Sequence, residues 1–137
     1  MKIALACHPT HGGSGVVAAE LGMRLAARGH QVHFVSYERP FRLDPLASGV
    51  HFHEVEVTSY PLFRYPPYAL ALANELLQVV KREAVEIIHA HYAIPHSLAA
   101  VLARDMQPHG SVKVVTTLHG TDITLVGADP SYADITR

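Results

Sequence analysis

Three short stretches of this sequence concentrate groups able to do chemistry. The first, His8-Pro9-Thr10-His11-Gly12-Gly13-Ser14-Gly15, combines closely spaced glycines with hydroxyls and imidazoles. Glycine lets backbone N–H groups approach a ligand closely and accepts positive φ. A helix beginning there adds unpaired N–H groups and the positive end of its dipole, worth about 0.3–1 kcal/mol to an anion. A phosphate or carboxylate is the natural ligand of such a loop. A tight strand-to-helix turn without a ligand is the alternative. The second stretch, His89-Ala90-His91-Tyr92-Ala93-Ile94-Pro95-His96, sets His89 and His91 on one face of a strand. Two such imidazoles are potential metal ligands. No carboxylate or cysteine accompanies them at metal-site spacing, so packed, hydrogen-bonded histidines are expected. His91 and Tyr92, at the strand end, are still candidates for substrate contact. In the third, Thr116-Thr117-Leu118-His119-Gly120-Thr121-Asp122, a histidine follows an apolar run beside Gly, Thr and Asp. A histidine so placed donates to a hydroxyl or takes a proton near neutral pH. The structural alternative is a helix cap from Thr121 or Asp122.

The elements around these stretches follow from hydrophobic spacing. Ile3 to Cys7 reads as a buried strand. Ser14 is expected to cap the next helix, which carries Val16, Val17, Leu21, Leu25 and Ala26 and stops near Gly29. Gln31 to Tyr37 and Val50 to Val57 read as strands, and His51 and His53 share a face of the latter without evident chemistry. Tyr60 to Pro67 is a Pro/aromatic loop, after which Pro67 opens a helix to about Glu83. Val85 to Ala90 is a strand, Pro95 fits the first turn of a helix to about Met106, and Val112 to Leu118 is a strand. The tail Ser131 to Arg137 resembles a helix start. Strands alternating with helices predict a single α/β domain with a mainly parallel sheet and helices on both faces. Ligands of such sheets bind beyond the carboxyl ends of the strands, where the strand order reverses. That rule selects residues 8–15, 91–96 and 119–122.

Composition removes other classes. The 137 residues are 49% apolar and 17% charged, which excludes a disordered, collagen-like or coiled-coil chain. Eleven Lys and Arg against twelve Asp and Glu leave no positive field for nucleic acid. No apolar run reaches membrane-spanning length, and Met1-Lys2 followed by a short apolar run does not read as a signal peptide. The single cysteine, Cys7, excludes an internal disulfide, fits a reducing cytoplasm, and is expected to be buried and inert. No Lys follows the glycines, so there is no Walker A loop, and Gly12-Gly13-Ser14-Gly15 has the wrong spacing for a nucleophile elbow. Gly13-Ser14-Gly15-Val16-Val17-Ala18, with Glu38 after the second strand, does match the nicotinamide-dinucleotide pattern. Its glycines, however, lie several residues beyond the strand. Arg39, Arg42 and Arg64 are expected to form a solvated rim.

Taken with Pro40-Phe41-Arg42-Leu43, Phe52-His53-Glu54-Val55 and Tyr65-Pro66-Pro67-Tyr68, the three stretches resemble the N-terminal half of family 4 retaining glycosyltransferases. They are most similar to the branch acting in bacillithiol biosynthesis, and the resemblance covers essentially the whole chain. It implies a two-domain GT-B fold with Rossmann-like halves and an active site in the cleft between them. Residues 1–137 would be the N-terminal, acceptor-side domain, with the donor-binding C-terminal domain absent. The implied reaction moves N-acetylglucosamine from UDP-N-acetylglucosamine to the hydroxyl of L-malate with retention, in the cytoplasm, without cofactor or metal. By position, Gly12, Gly13 and His119 would meet the donor phosphates and sugar, with His119 the catalytic candidate. Ser14, Tyr92 and Thr117 would hold the acceptor, and His91, Thr121 and Asp122 would support them. The family's E-x₇-E motif and its basic residues for the diphosphate have no counterpart here. The fragment alone is therefore expected to be nearly inactive, with an uncovered apolar face that favours a homodimer. Three alternatives remain: another acceptor on the same scaffold, a nicotinamide-dependent oxidoreductase domain, and a non-catalytic binding module.

Overall fold

A computed structural model describes residues 1–136. Five strands, β1 (Lys2–Ala6), β2 (Gln31–Ser36), β3 (Val50–Glu54), β4 (Ile87–His91) and β5 (Lys113–Thr117), form one sheet in the order β3-β2-β1-β4-β5. Every neighbouring pair is parallel, so the mainly parallel expectation is met in full. The helices are α1 (Gly13–Ala27), α2 (Tyr68–Glu83), α3 (Leu98–Asp105) and the short α4 (Ala133–Thr136). This is a Rossmann-like domain whose strand order reverses between β1 and β4. Among the described residues, no helix is long and apolar enough to cross a membrane.

The alternation along each strand assigns the two faces. Leu5, Cys7, Val32 and Phe34 pack with Ala18 and Ala26 of α1. Ala4, Ala6, Val35, Ile88 and Ala90 pack on the other face with Leu72, Leu76 and Val80 of α2 and Ala99 and Ala103 of α3. Gly22 lies inside α1 because a Cβ there would come within 2.2 Å of the Phe34 ring. The helix thereby rests directly on the sheet and fixes where its amino end points.

Boundaries differ from expectation where backbone geometry outweighs side-chain type. The cap of α1 is Gly12, with no side-chain cap bond, so Ser14 sits inside the first turn and does not cap it. Gly29, at φ 86°, ends α1 as expected, and the His30 N–H returns to the Leu25 carbonyl at 3.2 Å. The strand expected to start at Val85 starts at Ile87 and runs on to His91. Pro95 does not open α3. It lies in a wide turn, Ala93–Ser97, with a cis Ile94–Pro95 bond and extended backbone at Ile94, and α3 begins only at Leu98. β3 stops at Glu54, short of Val57. The tail does form α4, while its last residue, Arg137, lies outside the described residues.

Candidate functional site

The three selected stretches leave the carboxyl ends of β1, β4 and β5, which are adjacent at the strand reversal, and so they meet. Together they bound an open cleft of about 620 Å³ lined by His8, Thr10, Gly12, Gly13, Ser14, Val17, Tyr92, His119 and Thr121. Six expected residues thus face one space: Gly12, Gly13, Ser14, Tyr92, His119 and Thr121. The other three, His91, Thr117 and Asp122, stand behind that surface. A larger groove, about 780 Å³, runs between Arg104 and Val114 at the amino end of β5. It lies away from the strand carboxyl ends and contains none of the predicted groups.

The glycines of the loop divide by role. A Cβ on Gly15 would meet the carbonyl oxygens of His8 and Thr10 at 2.5 and 2.6 Å, so Gly15 lets the loop fold back over the helix start. A Cβ on Gly13 would meet nothing within 4 Å, so its backbone borders open space. The first turn of α1 holds no acidic side chain to offset the dipole. The amino end of α1 is therefore a positive, glycine-edged rim of the cleft. The Gly13-x-Gly15 pair lies within the helix and not in the turn leaving β1, which gives the nicotinamide reading no support.

Opposite this rim, Tyr92 follows β4 at φ 93°, a region L-residues rarely occupy. Its N–H donates to the Thr117 carbonyl at 2.9 Å, and its hydroxyl meets that of Thr121. Strain of about 1–3 kcal/mol at such a residue persists only where its surroundings impose it. Asp122, only 1% exposed, does so. One carboxylate oxygen accepts the Ala93 N–H at 3.0 Å and the other the His119 N–H at 2.8 Å, tying the two loops together. The helix cap weighed as the alternative for Thr121 or Asp122 is not formed: Thr121 stands at the cap position with no side-chain cap bond. Thr117 is likewise engaged behind the cleft, its hydroxyl 2.8 Å from His89 Nε2.

Imidazoles form the floor. His91 is fully buried and its Nδ1 lies 3.0 Å from His119 Nε2. Burial, then His89 and His119, hold the His91 pKa down at about 4. His96 is fully buried beneath His8, ring centroids 4.4 Å apart, and burial together with His8 and His91 lowers its pKa to about 3. His89 and His91 are thus packed and hydrogen-bonded, as expected. Among the described residues no group of three His, Cys, Asp or Glu is arranged to hold a metal. His8 and Thr10 lie in the selected 8–15 stretch but carry no individual role in the sequence reading. Their signal is positional, since they lie just beyond the carboxyl end of β1. Cys7 itself is buried, its thiol pushed up to about 12. Arg39, Arg42 and Arg64 are exposed and outside the cleft, with Arg42 paired to Glu20 at 3.3 Å.

A second histidine group lies away from the cleft, on the face covered by α2. His53 Nε2 is 2.9 Å from His33 Nδ1, and Arg82 reaches His53 Nδ1 at 3.1 Å.

The family model for Glycosyltransferase Family 4 matches residues 11–136. The chain belongs to glycosyltransferase family 4. Within the family it is similar to an N-acetyl-alpha-D-glucosaminyl L-malate synthase from Bacillus anthracis, 51% identical over 137 residues. The match takes in all of this chain but 36% of that relative's length. Among solved structures, the glycosyltransferase SnogD from Streptomyces nogalater superposes with a TM-score of 0.60 at 14% identity, covering 100% of this chain and 38% of that one. Sucrose-phosphate synthase from Thermosynechococcus elongatus gives 0.59 at 16% identity, covering 98% and 39%. These two likenesses bear on the fold alone. In this family-4 domain, then, the glycine rim, Tyr92 and His119 occupy the open end of a shared fold.

Proposed function

We propose that this chain is the acceptor-side, N-terminal domain of a glycosyltransferase that moves N-acetylglucosamine from UDP-N-acetylglucosamine to the hydroxyl of L-malate with retention, in the cytoplasm. One observation carries the reading. Gly12, Gly13, Ser14, Tyr92 and His119 border a single cleft, in a chain half identical to a protein named for that product. A dicarboxylate suits the amino end of α1, where backbone N–H groups and the dipole favour negative charge. Ser14 and Tyr92 supply hydroxyls to orient it, and Thr121 holds the Tyr92 hydroxyl. Gly12 and Gly13 leave room for a diphosphate, and His119 faces the same space. Among the described residues the cleft lining contains no Asp or Glu, so no pair of carboxylates of glycosidase type is formed by them there. The leaving phosphate is then the base that takes the acceptor proton. Donor binding belongs to a second domain outside this chain, and the domain alone turns over little or no donor.

Calorimetric titration of L-malate, succinate and D-malate into this chain, repeated with the longer enzyme, tests the acceptor. L-malate is expected to bind, and to bind more tightly than the other two. Equal affinity for all three, or none for L-malate in the longer enzyme, would overturn the assignment. Release of UDP by this chain at the longer enzyme's rate would overturn its inactivity.

A further inference from the structure

We infer that buried His91 dictates which nitrogen of His119 carries the proton, so that His119 meets the substrate as a hydrogen-bond donor through Nδ1 and not as a base. This rests on the reading of His119 as a contact to the group being transferred. His119 lines the cleft with its Nε2 turned inward, 3.0 Å from His91 Nδ1. Its Nδ1 has no partner among the described residues. Two N–H groups cannot face each other at that distance, so one of the two nitrogens is bare. His91 Nε2, on the far side of its ring, is buried and also has no partner among the described residues.

Two arrangements remain. If His119 donates, His91 accepts at Nδ1 and its own proton is stranded on Nε2 as a buried N–H with no acceptor. Groups of that kind are rare in folded proteins. If His91 donates from Nδ1, its buried Nε2 holds only a lone pair. The second arrangement leaves no buried N–H without an acceptor. His119 then accepts at Nε2 and carries its proton on Nδ1. The ring is held in place from below, by His91, and through its backbone N–H, by Asp122. His91 is thus a positioning residue, and His119 supplies an N–H to a hydroxyl oxygen of the sugar being transferred.

The proton's place is read by long-range ¹H–¹⁵N correlation on this chain labelled with ¹⁵N-histidine, above the pH at which histidine titrates. The His119 signals are assigned by their loss in His119→Gln. In the wild-type chain, Nδ1 is expected at a pyrrole-type shift and Nε2 at a pyridine-type shift. His91→Asp, which can only accept there, is expected to draw the proton to Nε2. His91→Asn, whose amide nitrogen replaces Nδ1, is expected to keep the wild-type pattern. A pyrrole-type Nε2 in the wild-type chain overturns the inference, as does a protonated Nδ1 that persists in His91→Asp. If His91→Asp does not fold, the wild-type spectrum alone decides. No substrate is needed, so this outcome is independent of the malate titration.

Discussion

The Asp122 carboxylate, behind the cleft, accepts the backbone N–H of Ala93 across 29 positions of sequence. Its second oxygen accepts the His119 N–H, so one buried side chain sets the spacing of both loops that face the glycine rim. Hydrogen bonds to a charged group are among the stronger ones, and a buried donor left unpaired costs more than the bond itself gains. Asp122→Ala should therefore destabilise the chain by about 2–4 kcal/mol. Asp122→Asn, which keeps one acceptor, should fall between that variant and wild type. Urea unfolding followed by circular dichroism measures both.

Gly13 and Gly15 should respond oppositely to the same substitution. Gly15→Ala drives a methyl into the His8 and Thr10 carbonyls and should cost at least about 1–3 kcal/mol, as overpacking does. Gly13→Ala meets open space and should leave the melting temperature unchanged or slightly raised, because alanine restricts the unfolded chain. Its methyl would nonetheless intrude where an anion approaches, so the affinity for L-malate should fall. Thermal melts and calorimetry on the two variants separate folding from binding.

The backbone at Tyr92 can be tested without its ring. Tyr92→Ala and Tyr92→Gly both lose the packing against His8 and the hydroxyl contact with Thr121. Only glycine relaxes at φ 93°. Tyr92→Gly should be the more stable of the two by about 1 kcal/mol. An alanine variant of equal or greater stability would mean that the backbone there is not strained.

Stability should fall on acidification well above the usual carboxylate range. His33 and His91 are held at about 4 and His96 at about 3, in each case chiefly by burial and then by neighbouring imidazoles. In the unfolded chain these groups titrate near 6.5. Between those values the unfolded state binds more protons, so stability rises with pH across that window. It is fully present above about 6.5 and is lost progressively as pH drops through 4, each pKa unit per group being worth about 1.4 kcal/mol. Melting temperature against pH should be flat from 8 to 7 and then slope downward. A flat profile to pH 4.5 would contradict the burial of these neutral rings.

The strands and the location of the cleft were readable because both depend on local pattern. Ile3–Cys7 and Val112–Leu118 are apolar runs too short for helices, and the carboxyl-end rule then selects the loops after them. What was not readable depends on groups distant in sequence. Asp122 bonds to Ala93 through loops brought together only by the pairing of β4 with β5. His33 meets His53 only because β2 pairs with β3 in the register that sets Val35 opposite His53. Ser14 looked like a helix cap by residue type, but the cap is Gly12, and the close approach of Gly15 to the His8 carbonyl sets the turn. Thr117 belongs to the resembling motif, yet its hydroxyl is committed to His89, a pairing that crosses from β5 to β4.

The place of β1 in the sheet shapes how this molecule is made. It pairs with β2 soon after in the chain, at Gln31 to Val35, but its other flank waits for β4, 84 positions later where Ile3 pairs with Ile87. Until then Ile3–Cys7 presents an open edge, the kind of exposed strand that recruits chaperones or aggregates. The cleft draws its lining from the loops after β1, β4 and β5, so its wall is complete only when the chain through Thr121 is in place.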